Sequence, residues 1–402
     1  MFIRLAWRSL LSRKGAVFLT FLAITVSIFV LLGIEHIRQQ TKSNFNNTVA
    51  GIDLIVGART GDINLLLYSV FRLGNATNNV SWSSYQDISA NPKVAWTIPI
   101  SLGDSHKGYR VMGTTTDYFK YFRYGQKQSL SFSQGKPFSS VFDVVLGAAV
   151  ARQLNYQLGN QIVLAHGMAS TSFSQHNDKP FRIVGILKPT GTPVDQTVHV
   201  SLRGIEAVHA DGPNGIKQNF TPTITAFMVG LKSKMATFHI QREINHYQAE
   251  PLSAILPGVA LSQLWQVTAI MENTLILVSS IVLLASLLGL SAMLLTSIRE
   301  RRREIAIIRS LGAPPSFLFL LIQTEAVLII LASSAFALAL LFLCLLYLNG
   351  FLSDNFSLSI STNIFDKHTF YLLLMTLVSA MATSVVPAIS AYSSALQKRL
   401  NN

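Results

Sequence analysis

Four long runs without charge decide what this chain can fold into. Residues 16–34, 273–298, 317–348 and 370–395 are apolar, and within them only Glu325 carries a charge. A helix needs about 20 apolar residues to cross roughly 30 Å of hydrocarbon, so each run predicts a transmembrane helix, and the third has length to spare. Charged residues make up only 13% of the chain, about half the share usual in soluble proteins. That deficit sits in the runs, and the interval between the first two reads as an ordinary soluble domain.

The first run has a basic flank like that of a secretory signal, but its apolar stretch is long for one and no small-x-small cleavage pattern follows it. It is read as an uncleaved anchor. Orientation follows the distribution of Lys and Arg in the short flanks. Arg4, Arg8, Arg13 and Lys14 precede the first run, Arg299, Arg301, Arg302, Arg303 and Arg309 lie between the second and third, and Lys398 and Arg399 follow the fourth. The 349–369 loop holds only Lys367, beside Asp354 and Asp366. Both termini and the 299–316 loop are therefore expected in the cytoplasm, with the large domain outside. The net charge of +13 fits these flanks meeting anionic lipid. No basic helix or aromatic-basic platform points to nucleic acid. The single cysteine, Cys344, leaves no intrachain disulfide, so the outer domain must rest on its own core.

Segments 53–58, 94–101, 109–113, 181–187, 198–202 and 224–231 are apolar or alternating and bounded by turn residues, which predicts strands. Segments 147–154 and 234–246 predict helices, and 262–271 is expected to run as helix into the second span. Pro189-Thr190-Gly191-Thr192-Pro193 predicts a rigid turn. The fold class is thus a membrane α-helical protein of four transmembrane helices, with a large α+β extracytoplasmic domain inserted between the first and second. The expected order is a cytoplasmic amphipathic helix (1–15), first span (16–36), outer domain (37–265), stalk and second span (266–298), cytoplasmic loop (299–316), third span (317–348), short outer loop (349–369), fourth span (370–395) and cytoplasmic tail (396–402).

No phosphate loop, nucleophile elbow or His-Glu-x-x-His motif occurs, so the chain is not expected to hydrolyse ATP or to act as an enzyme. All nine histidines fall outside or at the membrane boundary. His166 and His176, with Asp178 nearby, are the metal-ligand candidates, although their spacing matches no tight metal motif; scattered surface or core histidines are the plainer account. Glu325, about two turns into the third span, is costly in lipid and must pair or face protein or water. Pairing with the nearby arginines is favoured over a proton relay, which lacks a second intramembrane carboxylate or lysine. Ala380, Ser384 and Ala388 have the spacing that lets helices approach closely.

The most specific segment is Arg303-Glu304-Ile305-Ala306-Ile307-Ile308-Arg309-Ser310-Leu311-Gly312-Ala313-Pro314. Ile305, Ile308 and Leu311 share a helical face, and Gly312 and Pro314 stop the helix. Such a helix can lie on the bilayer or dock into a partner's groove. With Glu325 downstream, it resembles the loop of the ABC-transporter permease superfamily that includes MacB, FtsX and LolC/LolE, the FtsX-like or type VII permeases. Leu5-Ala6-Trp7-Arg8-Ser9-Leu10-Leu11-Ser12-Arg13-Lys14 looks like that family's N-terminal helix, and Pro387-Ala388-x-x-Ala391 like its last-span ending. Asp53-Leu54-Ile55-Val56-Gly57-Ala58, Val145-Leu146-Gly147-Ala148 and Pro189 through Asp195 resemble a bacterial subgroup whose His-rich insert after a His-Gly pair is nearly absent here, after His166-Gly167.

The resemblance implies a non-catalytic permease subunit of the bacterial inner membrane, with its large domain periplasmic. It implies a homodimer, or a paired permease, working with a separate ABC ATPase that holds ATP and Mg, and no cofactor in this chain. Arg303, Glu304, Ile305, Ile308, Arg309, Leu311 and Gly312 would form the coupling helix. ATP hydrolysis would then move the periplasmic domain, a mechanotransmission that extracts or exports a peptide, lipid or lipoprotein, with a periplasmic or outer-membrane partner. Two alternatives stand beside it: a scaffold activating a periplasmic cell-wall enzyme, and metal-linked transport or sensing.

Overall fold

The computed structural model describes residues 2–166, 179–209, 223–301, 307, 310, 312–356 and 360–397. The chain divides into two compact bodies: residues 1–40, 269–348 and 360–402 form one, and residues 41–268 with 349–359 form the other.

The outer body is built on an eleven-stranded mixed sheet. Its path runs Leu252–Ile255, Leu54–Ala58, Ala226–Leu231, Val94–His106, Tyr109–Thr114, Thr197–Ser201, Asp143–Leu146, Phe181–Leu187 and Phe132–Gly135. The 13-residue strand Val94–His106 joins two halves. Its first part pairs antiparallel with Ala226–Leu231, and its last part pairs with Tyr109–Thr114 after an irregularity between Leu102 and Ser105. Among the described residues, parallel pairings occur only in the second half, between Tyr109–Thr114 and Thr197–Ser201 and between Asp143–Leu146 and Phe181–Leu187.

Both faces of the first half are covered. Ile55, Ala226 and Met228 enter one apolar cluster, while Leu54, Val56, Phe227 and Val229 enter another behind them. That is why 54–58 and 226–231 read as unbroken apolar runs, as strands buried on two sides do. A third cluster around Val144, Phe181 and Val198 fills the second half.

Two motifs distant in sequence meet here. A Cβ on Gly147 would lie 2.3 Å from the Val194 carbonyl oxygen and 2.4 Å from that of Asp195, so only glycine allows this approach. The Asp195 carboxylate accepts from the Thr190 amide (2.9 and 3.0 Å), the Thr190 hydroxyl (2.9 Å) and the Gly191 amide (2.8 Å), which closes the proline-flanked turn.

The expected strands are present, with shifts that have local causes. Leu202 starts the helix Leu202–His209 instead of ending a strand, because the Ser201 hydroxyl accepts from the Gly204 amide at 3.0 Å and starts that helix. The helices Asp62–Ser69, Trp82–Ser89 and Asp117–Tyr121 and the edge strand Leu252–Ile255 were not legible from periodicity. Each is too short for a helical or alternating pattern to emerge.

The other body holds four helices long and apolar enough to cross a membrane. They belong to Lys14–Thr48, Pro257–Glu300, Pro315–Phe356 and Lys367–Gln397. The first three contribute residues to both bodies. Pro257 opens its helix at the position where a missing N–H costs nothing. The third helix continues to Phe356, past residue 348 where a loop was expected, since Asn349 and Gly350 are weak breakers once a helix is propagating.

Inside this body the helices are joined by hydroxyls. Ser27 and Ser286 meet at 2.7 Å, Ser333 donates to the Phe21 carbonyl at 3.3 Å, and Ser384 donates to Gln323 Oε1 at 2.9 Å. Pro387 lies inside the fourth helix, and having no N–H it leaves the Thr383 carbonyl without its helical donor. The Ser291 hydroxyl of the second helix donates to that carbonyl at 3.1 Å. Ala380, Ser384 and Ala388 are all buried, so the small-residue stripe faces protein.

Candidate functional site

Charge in the membrane body gathers where the helix Phe2–Leu11, the start of Lys14–Thr48, the end of Pro257–Glu300 and the start of Pro315–Phe356 come together. The short helix is amphipathic, with Ala6, Ser9 and Leu10 buried and Trp7 and Leu11 exposed. Ser12 and Arg13 then break the helix, and the Ser12 hydroxyl donates back to the Ser9 carbonyl at 2.7 Å.

That break aims Arg13 at the end of the second span. Its Nη2 donates to the Ser297 carbonyl at 2.8 Å, a last-turn carbonyl that also accepts from the Arg301 amide at 3.2 Å. Its Nε lies 3.2 Å from the Glu300 carboxylate. One residue on, Arg301 donates to the Ser9 hydroxyl, and its Nη1 lies 3.6 Å from Glu325 Oε1. Glu325 is 3% exposed, so its carboxylate has lost its water and depends on this pair. Together the contacts tie three spans and the N-terminal helix immediately ahead of the 302–311 segment.

Pro314 precedes the third span, and Gly312 has φ +96°, a left-handed conformation that suits a residue just past a helix end. Ile307 is exposed, and the Ser310 hydroxyl donates to its carbonyl at 2.8 Å. Arg303, Glu304, Ile305, Ile308, Arg309 and Leu311 lie outside the described residues. His176 also lies outside them, and His166 is described only as the end of the strand Ala165–His166. Among the described residues, no three His, Cys, Asp or Glu side chains gather as a metal site would require.

Two family matches cover most of the chain. The MacB-like periplasmic core domain matches residues 17–247, and the FtsX-like permease C-terminal domain matches residues 276–396. The chain belongs to the MacB/FtsX family of ABC-transporter permeases. No curated protein matches the permease by sequence. Among solved structures, it is similar to the periplasmic region of MacB from Actinobacillus actinomycetemcomitans, at 12% identity and a TM-score of 0.37, covering 55% of this chain and 97% of that one. It is also similar to the extracellular domain of the noncanonic ABC-type transporter YknZ from Gram-positive bacteria, at 13% identity and a TM-score of 0.31, covering 51% and 98%. The permease is thus a multipass membrane protein with a periplasmic domain.

The sequence singled out Glu325 and its pairing with nearby arginines, which Arg301 supplies, but it missed Ser9, Arg13, Ser297 and Glu300 as the setting. A usable signal existed for Arg13, a cation placed between two helices. None existed for Ser9, whose type is common in spans and whose contact is made across the fold.

Proposed function

We propose that this permease is the membrane subunit of an ABC transporter in the bacterial inner membrane. It has its termini and the 299–316 loop in the cytoplasm and works as a dimer with a separate ATPase that binds ATP and Mg. In this proposal Arg303, Glu304, Ile305, Ile308, Arg309, Leu311 and Gly312 form the helix that docks on the ATPase. The work delivered is movement of the periplasmic domain, which extracts or exports a peptide, lipid or lipoprotein, with a periplasmic or outer-membrane partner receiving it.

The observation that carries this reading is the charged junction. Arg13–Glu300 and Arg301–Glu325 brace the root of the 302–311 loop, so a push on the loop would be passed to three helices instead of being absorbed by a hinge. All three of those helices contribute residues to both bodies, and packed helices that shift between discrete arrangements transmit such a push.

The test is purification of the tagged chain from its native membrane with its ATPase. Substituting Arg303, Glu304 and Arg309 together with alanine is expected to leave the permease in the membrane but to release the ATPase. Retention of the ATPase with unaltered hydrolysis and transport would defeat the coupling role.

A further inference from the structure

Buried charge has a counter-charge in the membrane body, where Glu325 meets Arg301, but not at Arg72 in the outer domain. Alternation along Tyr109–Thr114 turns Arg110 and Met112 to one face of the sheet. On that face Met112 is flanked by Leu102 on one side and His199 on the other. Arg72, with φ +61°, lays its guanidinium there, and its Nη2 is 2.6 Å from the Met112 sulfur. The residue is 9% exposed. Arg72 Nη1 and His199 Nε2 are shut off from solvent without a hydrogen-bond partner among the described residues, and the buried Tyr118 hydroxyl has only the Arg72 guanidinium beside it.

No described carboxylate pairs with Arg72. Burial pushes its pKa down, and so does Arg110 nearby, while Tyr118 favours the charged form. A guanidinium nevertheless keeps its proton in proteins. Burial holds the Tyr118 hydroxyl up to about 12, so it is neutral, and burial beside Arg72 holds His199 down to about 3, so it is neutral too. Asp195, on the Tyr118 side, is committed to Thr190 and Gly191. Two cations therefore stand close together in a region of low dielectric, an arrangement that a bound anion would relieve.

A place for that anion exists beside them. A cleft of about 330 Å³ is lined by Gly74, Asn75, Asn79, Gly103, Arg110 and Thr225 among others, with no carboxylate among its described lining residues. Arg110 is held at its wall, Nη2 donating to the Gly74 carbonyl at 2.7 Å and both Nη atoms reaching Asn75 Oδ1 at 3.2 Å. Its Nε is buried and has no partner among the described residues. The acceptors that orient this guanidinium are neutral, so its charge stays available.

We propose that this cleft is a binding site for a small oxyanion group, a phosphate or a carboxylate, held by Arg110 with the side-chain amides of Asn75 and Asn79, while Arg72 behind them adds to the positive field. The site lies wholly in the outer domain and stands whether or not the coupling role of residues 303–312 holds.

Isothermal titration calorimetry on the full chain in detergent, with ionic strength held by sodium chloride, tests it with two probes, sodium phosphate and sodium acetate. One saturable event per chain is expected from at least one probe, and the probe that binds names the oxyanion class. Affinity should fall about tenfold in R110Q and less in N79A, and stay unchanged in K136Q, whose exposed lysine does not line the cleft. The same probe should raise the melting temperature of the unaltered permease but not of R110Q. Absence of saturable heat from both probes overturns the proposal, as does undiminished binding in R110Q or an equal loss in K136Q. If R110Q does not fold, N79A decides, because Asn79 is exposed; unchanged affinity there overturns the proposal.

Discussion

The two bodies of this permease solve opposite problems with polar groups. The membrane body is surrounded by apolar side chains such as Leu288, Phe336 and Val378 that face outward, and there its polar contacts come mostly in pairs, although the Thr25 hydroxyl is buried without a partner among the described residues. Glu325 takes Arg301, Ser291 takes the carbonyl freed by Pro387, and Ser384 takes Gln323. The outer body has large apolar cores and backbone pairing across eleven strands, and it accommodates a buried cluster whose polar atoms are not all matched. In lipid an unmatched polar group has no recourse to water, whereas a domain in water can hold one near a cleft that a solute can reach.

The sharpest way to break that comparison is at the Arg301–Glu325 pair. Arg301→Leu alone strands a buried carboxylate and is expected to cost about 3–5 kcal/mol, read as a loss of melting temperature in detergent. Adding Glu325→Leu should recover most of it. If the double variant is no more stable than the single one, the two charges are not partners.

Next comes the outer body's equivalent, a contact of backbone on backbone. Gly147→Ala places a methyl 2.3 Å from a carbonyl and is expected to cost about 3 kcal/mol or more. It should expose the outer domain to proteolysis while leaving the membrane body protected. Normal melting of the Gly147→Ala variant would mean that the 189–195 turn can move aside.

The histidines sharpen the contrast through pH. His199 titrates well below its ordinary value because burial and Arg72 oppose its charge. Its unfolded form therefore takes up a proton that the folded form refuses, and stability is lost as pH falls below about 6.5. His209 does the reverse. The hydrogen bond to Asp104 (Nε2 to Oδ1, 3.3 Å), opposed by burial and Lys179, raises its pKa. Its contribution is fully present below the unfolded value and is lost as pH rises through the folded one. Melting temperatures between pH 5 and pH 8 should show a shallower acid loss in His199→Asn and a steeper one in His209→Gln. Parallel curves for all three proteins would remove both assignments.

The smallest effect is expected at the proline. Ser291→Ala leaves the Thr383 carbonyl bare and should cost about 1 kcal/mol, and the loss should vanish in a Pro387→Ala background where the helix supplies its own donor. Equal losses in both backgrounds would show that Ser291 acts elsewhere.

Most of the architecture was legible because its signals are local. The four spans follow from runs of apolar residues, and the strands 53–58, 109–113 and 181–187 from β-branched residues between turn formers. What escaped depended on partners distant in the chain. The edge strand Leu252–Ile255 exists because Leu54–Ala58 offers it a ladder, and four residues carry too little pattern to announce it. Arg72 looks like any surface arginine until Met112, Tyr118 and His199 close around it. Arg13 looks like one more positive flank until the break at Ser12 turns it toward Ser297 and Glu300.

The sequence by itself therefore determined that the chain is a four-span membrane protein with a large inserted α+β domain, because hydrophobicity and turn chemistry act over a few residues. Only the tertiary structure decided which arginine meets Glu325, which hydroxyl serves the proline's carbonyl, and that Arg72 and Arg110 stand together with no described carboxylate between them. Those outcomes depend on distances between groups tens to hundreds of residues apart, and no local pattern encodes them.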